Sequence, residues 1–213
     1  MRLFLDTVDE TALGELWPTG AFAGVTTNPL ILARHGATPE DAAMRCRKLG
    51  VGRLFLQAAF GHREAIVQDA RGLTELFDGE LWVKVPAVGE GIAAIARLRD
   101  MGIRTAATAV LSLGQALLAA QAGADVLIPF LARAQASGGE PAVLLADVCR
   151  IARESEAHVL AASVKTEEHV RMALHAGCWA ATLPAELAAS FAHHPAADAV
   201  VEQFRKAEQG AEE

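Results

Sequence analysis

The chain has 213 residues, of which 52% are hydrophobic, and it carries a formal net charge of −7 at pH 7. This length and composition allow one large core, and no shift in composition marks a second domain, so we expect a single domain over residues 1–213. The acidic balance argues against a nucleic-acid partner or a polybasic membrane surface, so any anionic ligand must meet a local basic site.

Cysteine usage and the N-terminus indicate the compartment. Cys46, Cys149 and Cys178 are odd in number and widely separated, which argues against a disulfide framework or a zinc site. The apolar run at Met1–Leu5 is too short for a signal peptide, and no uninterrupted apolar segment is long enough to span a bilayer. We therefore expect a soluble, unprocessed protein of a reducing cytoplasm.

In chain order, a repeated pattern ends a helix at a glycine and begins a strand shortly after, at Gly50, Gly102, Gly123 and Gly177. Glycine accepts the left-handed conformation that satisfies the last helical carbonyls, so these are physical stop signals. The predicted strands are Arg2–Leu5, Gly24–Thr26, Leu54–Gln57, Leu81–Val85, Thr105–Val110, Val126–Phe130, His158–Ala162 and Ala180–Leu183.

Amphipathic stretches alternate with these strands and predict helices. The clearest are Glu40–Leu49, Glu64–Phe77, Glu90–Met101, Leu113–Ala122, Ala142–Ser155 and Thr166–His175. The alternation predicts an α/β protein with a (β/α)8 TIM barrel. An open doubly wound sheet is the alternative, but no Gly-rich turn after the first strand marks a dinucleotide crevice.

Two further helices are predicted after the last strand, at Glu186–Ala192 and 196–209. A barrel needs only one closing helix. The extra C-terminal helix has Val200, Val201 and Phe204 at helical spacing on one face. It either packs across the outside of its own barrel or is lent to a neighbouring subunit.

A single lysine, Lys84, interrupts the apolar fourth strand. Strand side chains alternate faces, so Trp82 and Lys84 point into the barrel. A buried ammonium is poorly solvated, which favours a neutral, nucleophilic amine and predicts a Schiff-base lysine. The alternative is an edge-strand lysine that discourages aggregation.

Other candidate site residues are predicted at the C-terminal ends of strands, where barrel active sites lie. They are Asp6, Thr26 with Asn28 just beyond it, Gln57, Thr108, Phe130 and Ser163. Asp6 can shuttle a proton, Asn28 can hold a substrate hydroxyl, and Gln57 with Thr108 can position a catalytic water. Taken singly, each is more typical of a cap or a turn than of a catalytic site, but the set together with an inward lysine favours a site.

Arg133 follows the sixth strand and precedes a glycine-containing segment at Ser137–Gly139 that looks mobile. Its guanidinium has the fork geometry to grip a phosphate, with Ser163 as a second contact. The alternative for Arg133 is a surface ion pair.

Several motifs resemble the small transaldolase family, and within it the fructose-6-phosphate aldolases. They are Leu5-Asp6-Thr7, Gly24-Val25-Thr26-Thr27-Asn28-Pro29, Val83-Lys84-Val85-Pro86, Thr108-Ala109-Val110, 160–166, Ala176-Gly177-Cys178 and Thr182-Leu183-Pro184. The resemblance implies a class I mechanism with neither metal nor cofactor, in which Lys84 forms a Schiff base with a ketose and carries a dihydroxyacetone unit. It also implies a sugar-phosphate substrate and rings of five subunits that pair into decamers, with the C-terminal helix crossing to a neighbour.

The chain departs from both branches of that family. Phe130 stands where the aldolases carry tyrosine, as in transaldolases, whereas Gln57 matches the aldolases. Gln135 replaces an aspartate usual two residues after the arginine.

Three hypotheses for the function follow. The leading one, favoured by Gln57 and by the closer overall resemblance, is an aldolase that splits a ketose 6-phosphate such as fructose 6-phosphate into dihydroxyacetone and glyceraldehyde 3-phosphate. The second is a transaldolase that passes the dihydroxyacetone unit to an aldose phosphate. The third is a non-catalytic barrel that binds sugar phosphates. An arginine and a serine hydroxyl would also hold a sulfonate terminus.

Overall fold

The computed structural model describes residues 1–210, in which eight parallel strands pair in sequence order and close into a barrel. The strands are β1 (Arg2–Asp6), β2 (Gly24–Thr26), β3 (Arg53–Gln57), β4 (Glu80–Pro86), β5 (Thr105–Val110), β6 (Val126–Pro129), β7 (His158–Ala161) and β8 (Ala180–Leu183). The predicted (β/α)8 barrel is confirmed. Because β8 pairs with β1, the sheet has no free edge.

Helices follow the strands around the outside. They are α1 (Glu10–Leu16), α2 (Pro29–Arg34), α3 (Pro39–Lys48), α4 (Arg63–Thr74), α5 (Glu90–Asp100), α6 (Leu113–Gln121), α7 (Leu131–Ala136), α8 (Pro141–Ser155), α9 (Glu167–Ala176), α10 (Ala185–Ser190) and α11 (Pro195–Gly210). The sequence did not predict α1, α2 or α7, because helices of 6 or 7 residues are too short to display a helical period.

Side-chain caps explain where several helices begin. Thr38 and Asp41 form a reciprocal capping box at α3, with Pro39 at its first helical position. Asn28 accepts hydrogen bonds from the first two free backbone N–H groups of α2, and Ser112 caps α6 in a similar way. A residue of the predicted site, Asn28, therefore also starts a helix.

Strand alternation divides the buried side chains into an inner and an outer cluster. The outer cluster packs β-strand residues such as Val83 and Val85 against the helices. The inner cluster fills the barrel and includes Phe4, Phe55 and Trp82. Phe55 stacks on Trp82 with ring centroids 4.8 Å apart and meets Phe4 edge to face at 5.5 Å. Each of these rings lies two residues before a predicted site residue on its strand: Asp6, Gln57 and Lys84.

The last helix, α11, leaves its apolar face uncovered. Val200, Val201 and Phe204 are 43%, 53% and 63% exposed. Across residues 1–210, no helix combines the length and the hydrophobicity needed to traverse a bilayer.

Candidate active site

A cavity of about 290 Å³ lies at the C-terminal ends of the strands. The predicted site residues that line it are Asp6, Thr26, Asn28, Lys84, Phe130, Arg133 and Ser163. The two residues predicted to position water, Gln57 and Thr108, are not part of this lining.

Lys84 is buried on β4, with 4% of its surface exposed. It has strands on both sides, so its interpretation as an edge-strand residue is excluded. Its Nζ donates a hydrogen bond to the backbone carbonyl of Thr27 at 2.5 Å. The pKa of this amine is lowered to about 8, chiefly by burial; Asp6 acts in the opposite direction, and Arg133 adds a smaller lowering effect. A far larger fraction of this amine than of an exposed lysine is therefore neutral near neutral pH.

Asp6 lies at the end of β1, where its Oδ1 accepts a hydrogen bond from the Thr26 hydroxyl at 2.7 Å. That hydroxyl also lies 2.6 Å from the hydroxyl of Thr182 on β8. Burial raises the pKa of the Asp6 carboxyl, against the opposing effects of Lys84 and of the Thr26 hydrogen bond. A carboxyl tuned in this direction exchanges protons more readily at neutral pH than an exposed aspartate.

Asn28 lines the cavity from the start of α2. Its Oδ1 accepts hydrogen bonds from the N–H groups of Leu30 and Ile31, at 3.0 and 3.1 Å. The cap fixes the side chain and leaves the amide N–H groups as donors for a ligand oxygen. The predicted role as a hydroxyl-binding residue fits this orientation.

Arg133 lies on α7, which ends at Ala136, and the segment Ser137–Gly139 that was expected to be mobile begins after this helix. Its guanidinium is exposed and lies 4.9 Å from the ring centroid of Phe130. Such stacking holds an arginine over an aromatic face without using up its hydrogen-bond donors. In the described chain Arg133 pairs with no carboxylate within 4.0 Å, so its interpretation as half of a surface ion pair is not supported.

Ser163 follows β7 and has a left-handed backbone with a φ of 56°. Its carbonyl accepts a hydrogen bond from the N–H of Ala132, and the preceding carbonyl accepts one from Leu131. These bonds tie the start of α7 to the end of β7. Arg133 and Ser163 are thereby held on the same side of the cavity.

Three further lining residues, Arg34, Lys165 and Thr182, were not predicted as site residues. Thr182 could have been found by the same two-residue alternation that identified Asp6, because it lies on the inward face of β8. Arg34 ends the unpredicted helix α2, and Lys165 lies two residues after Ser163. Together with Lys84 and Arg133, Arg34 and Lys165 make the cavity a cationic site on an acidic protein.

Gln57 and Thr108 flank Lys84 without lining the cavity. Gln57 is half-buried and pairs in register with Lys84. Thr108 is buried on β5, and its hydroxyl has no hydrogen-bond partner among residues 1–210. Their role in holding water stays a prediction.

The cavity thus brings together a poorly solvated amine, a carboxyl with a raised pKa and several cationic side chains. This combination can form an imine with a carbonyl compound, move protons and hold an anionic terminus. No cluster of three or more histidine, cysteine, aspartate or glutamate side chains suited to a metal ion occurs in the part of the chain that the structure describes.

Comparison with known proteins agrees with this chemistry. The family model described as transaldolase/fructose-6-phosphate aldolase matches residues 3–213. A probable transaldolase of Herpetosiphon aurantiacus is 33% identical over 206 residues, covering 96% of this chain and 93% of the relative. A probable transaldolase of Pelotomaculum thermopropionicum is 32% identical over 206 residues, covering 96% and 95%. The chain therefore belongs to the transaldolase/fructose-6-phosphate aldolase family and is a transaldolase-type class I enzyme.

Proposed function

We propose that the protein transfers a dihydroxyacetone unit from a ketose 6-phosphate, such as fructose 6-phosphate, to an aldose phosphate through a Schiff base on Lys84. The observation that carries this proposal is a buried amine with a pKa of about 8 in a cavity that also holds Asp6 and Arg133. An unperturbed lysine would be almost entirely protonated at neutral pH and a poor nucleophile.

The reaction needs one amine and one proton carrier. Nζ of Lys84 attacks the C2 carbonyl of the ketose, and the carbinolamine loses water to give a protonated imine. The C3–C4 bond then breaks, its electron pair moves toward the imine to form an enamine, and the proton of the C4 hydroxyl passes to Asp6. The aldehyde phosphate leaves, and three carbons remain bound to Lys84.

Transfer is completed when the enamine carbon attacks the aldehyde carbon of an acceptor, whose oxygen takes the proton back from Asp6. Hydrolysis of the new imine releases the product. In this scheme Asn28 and Thr26 bind sugar hydroxyls, while Arg133 and Ser163 bind the phosphate.

The aldolase reaction is the second candidate, and Gln57 favours it. In that reaction water, rather than an acceptor aldehyde, ends the cycle and releases dihydroxyacetone. Two observations favour transfer. The first is that Phe130, whose ring offers no hydrogen bond to a water, lines the cavity. The curated relatives are also named as probable transaldolases.

Borohydride trapping tests the nucleophile. Reduction in the presence of dihydroxyacetone or fructose 6-phosphate is expected to leave a stable three- or six-carbon adduct on the peptide that contains Lys84. Lys84→Met is expected to abolish both the adduct and turnover while the fold remains intact. An adduct on Lys165, which also lines the cavity, would contradict the assignment, and no adduct at all would indicate a non-catalytic binding protein.

Phe130→Tyr tests the choice between transfer and hydrolysis. A phenolic hydroxyl can hold a water, and a positioned proton-transfer group is typically worth ~10²- to 10⁴-fold, so we expect the variant to cleave fructose 6-phosphate faster without an acceptor. The measurement is steady-state cleavage with and without an acceptor aldose for both proteins. A parent enzyme that cleaves as fast without acceptor as with it would support the aldolase instead.

A further inference from the structure

Strand β5 leaves regular geometry immediately after Thr108. Its pairing with β6 shifts register between Ala107 and Val110. Between them, Ala109 has a left-handed backbone with a φ of 58°. This conformation is unfavourable for a residue with a Cβ and persists where surrounding contacts hold it.

Gln115, on α6, supplies such contacts. Its Nε2 donates to the carbonyl of Ala109 at 3.3 Å and to the carbonyl of Ala87 at 3.1 Å. Its Oε1 accepts from the N–H of Leu111 at 2.9 Å and from the hydroxyl of Ser112 at 3.3 Å. The reversed amide would point its oxygen at two carbonyls, so the hydrogen-bond pattern determines the orientation.

These bonds join the chain just beyond β4 to the chain just beyond β5. Ala87 lies three residues after Lys84, and its N–H donates to the carbonyl of Thr108 at 2.8 Å. Ala87 is thus held on one side by Thr108 and on the other by Gln115. A change at Gln115 therefore reaches the strand ends that carry Lys84 and Thr108.

The strand end that Gln115 holds carries Thr108, whose hydroxyl can take part in the reaction. Its hydroxyl is buried and, within residues 1–210, meets no hydrogen-bond partner. A buried hydroxyl without a protein partner is available to bond to a water or to the oxygen of a reaction intermediate. Its usefulness depends on its exact distance from the amine of Lys84.

We infer that Gln115 is a positioning residue for the Schiff-base reaction, because it holds the ends of β4 and β5 so that the Thr108 hydroxyl keeps a fixed place relative to Lys84. This inference rests on the proposed function. Gln115 is only half-buried and has no place in the cavity lining, so it acts through the backbone and not on the substrate.

Gln115→Met tests the inference, because methionine keeps the length of the side chain and removes its four polar contacts. The number of competent sites is first counted by borohydride trapping of Lys84 with dihydroxyacetone. We expect kcat per trapped site to fall by about 10- to 100-fold, as small misplacements of reacting groups do, with KM for fructose 6-phosphate little changed. A purely structural role would reduce the trapped fraction and leave kcat per trapped site unchanged, which would overturn the inference.

A double-mutant cycle with Thr108→Val sharpens the test. If Gln115 acts through the Thr108 hydroxyl, the double variant is no slower than Thr108→Val alone, whereas independent effects would multiply. Multiplied losses would overturn the inference. Gln121→Met, at an exposed position at the end of the same helix, is the matched control and is expected to behave as the parent enzyme.

Gln115→Glu covers the case in which Gln115→Met does not fold. It keeps the bonds accepted by Oε1 and turns an oxygen toward the carbonyls of Ala87 and Ala109, so the same loss of kcat per trapped site is expected. An unchanged value would count against the inference. Failure of the proposed function is recognised separately, because the parent enzyme itself would then give no adduct on Lys84.

Discussion

Burial of a single amine determines the chemistry available to this barrel. Lys84 lies in a closed sheet, so its aliphatic stem packs in the interior, and its Nζ finds a carbonyl oxygen instead of bulk water. The resulting pKa of about 8 means that burial outweighs the attraction of Asp6, which acts in the opposite direction.

The pH dependence of the reaction follows from this shift. Only the neutral amine attacks a carbonyl, so kcat/KM is expected to rise with pH through about 8, the pKa of Lys84. The measurement is a kcat/KM profile with an unphosphorylated donor, which removes the titration of the phosphate itself. A flat profile between about pH 7 and 9 would contradict the assigned pKa.

The lowered pKa of Lys84 also makes the stability of the fold depend on pH. Lys84 has a pKa of about 8 in the fold against 10.5 as its ordinary value, so the unfolded chain binds more protons between these two pH values. The contribution of Lys84 to the free energy of unfolding therefore rises with pH across that window and is constant below it.

Arg133 is expected to act on the anionic terminus alone. A charge-assisted hydrogen bond is worth roughly 1.5–3 kcal/mol, so Arg133→Ala should raise KM for phosphorylated sugars ~10- to 100-fold. Unphosphorylated donors should be nearly unaffected. Steady-state kinetics with both kinds of donor check this, with exposed Arg97 as a control through Arg97→Ala. Equal losses with both donors would make Arg133 a structural residue.

Among the elements, α11 differs from the other long helices because none of its residues 195–209 is buried, its apolar side chains included. A helix with an apolar face needs a partner surface, and cyclic assemblies can supply one from a neighbouring subunit. We therefore expect α11 to pack on a neighbouring subunit, as in the pentamer or decamer that the resemblance to the family implies.

Phe204→Asp tests the role of α11, because it places a charge at the centre of this face, where Phe204 is 63% exposed in the single chain. We expect the variant to be smaller in solution than the parent, as measured by light scattering coupled to size-exclusion chromatography. Gln209→Asp adds the same charge on the other side of the helix and should leave the assembly unchanged. Equal masses for Phe204→Asp and the parent would show that α11 does not hold subunits together.

At the scale of the whole molecule, the barrel separates the residues that stabilise it from those that do chemistry. Phe4, Phe55 and Trp82 form an aromatic layer inside the barrel, and the polar side chains begin one inward position further along each strand. The aromatic layer therefore lies deeper in the barrel than the site residues and is not itself part of the cavity lining.

Phe55→Ala is expected to lower the free energy of unfolding by about 3–5 kcal/mol, because it leaves a cavity among fully buried rings. Below the unfolding transition, borohydride should still trap dihydroxyacetone on Lys84. Denaturant unfolding gives the first quantity and peptide mass analysis the second. Loss of trapping in a folded variant would mean that the aromatic layer also orients the amine.

Periodicity along the chain was enough to predict much of this protein. A period of two residues and glycine stop signals are local properties, and they identified the eight strands and the inward direction of Asp6, Thr26 and Lys84. The motifs around Lys84 and Asn28 also carried the resemblance to the family. Three short helices, α1, α2 and α7, were missed because 6 or 7 residues give little period to detect, although α10, of similar length, was predicted.

Only the tertiary structure decided which residues line the cavity, because this depends on how strand ends and connecting helices approach one another in space. Arg34 and Lys165 line it, whereas Gln57 and Thr108 do not, although alternation treats all inward strand ends alike. The contacts of Gln115 join segments that lie far apart in sequence. The pKa of Lys84 likewise depends on burial, which arises only when eight strands and their helices enclose the amine.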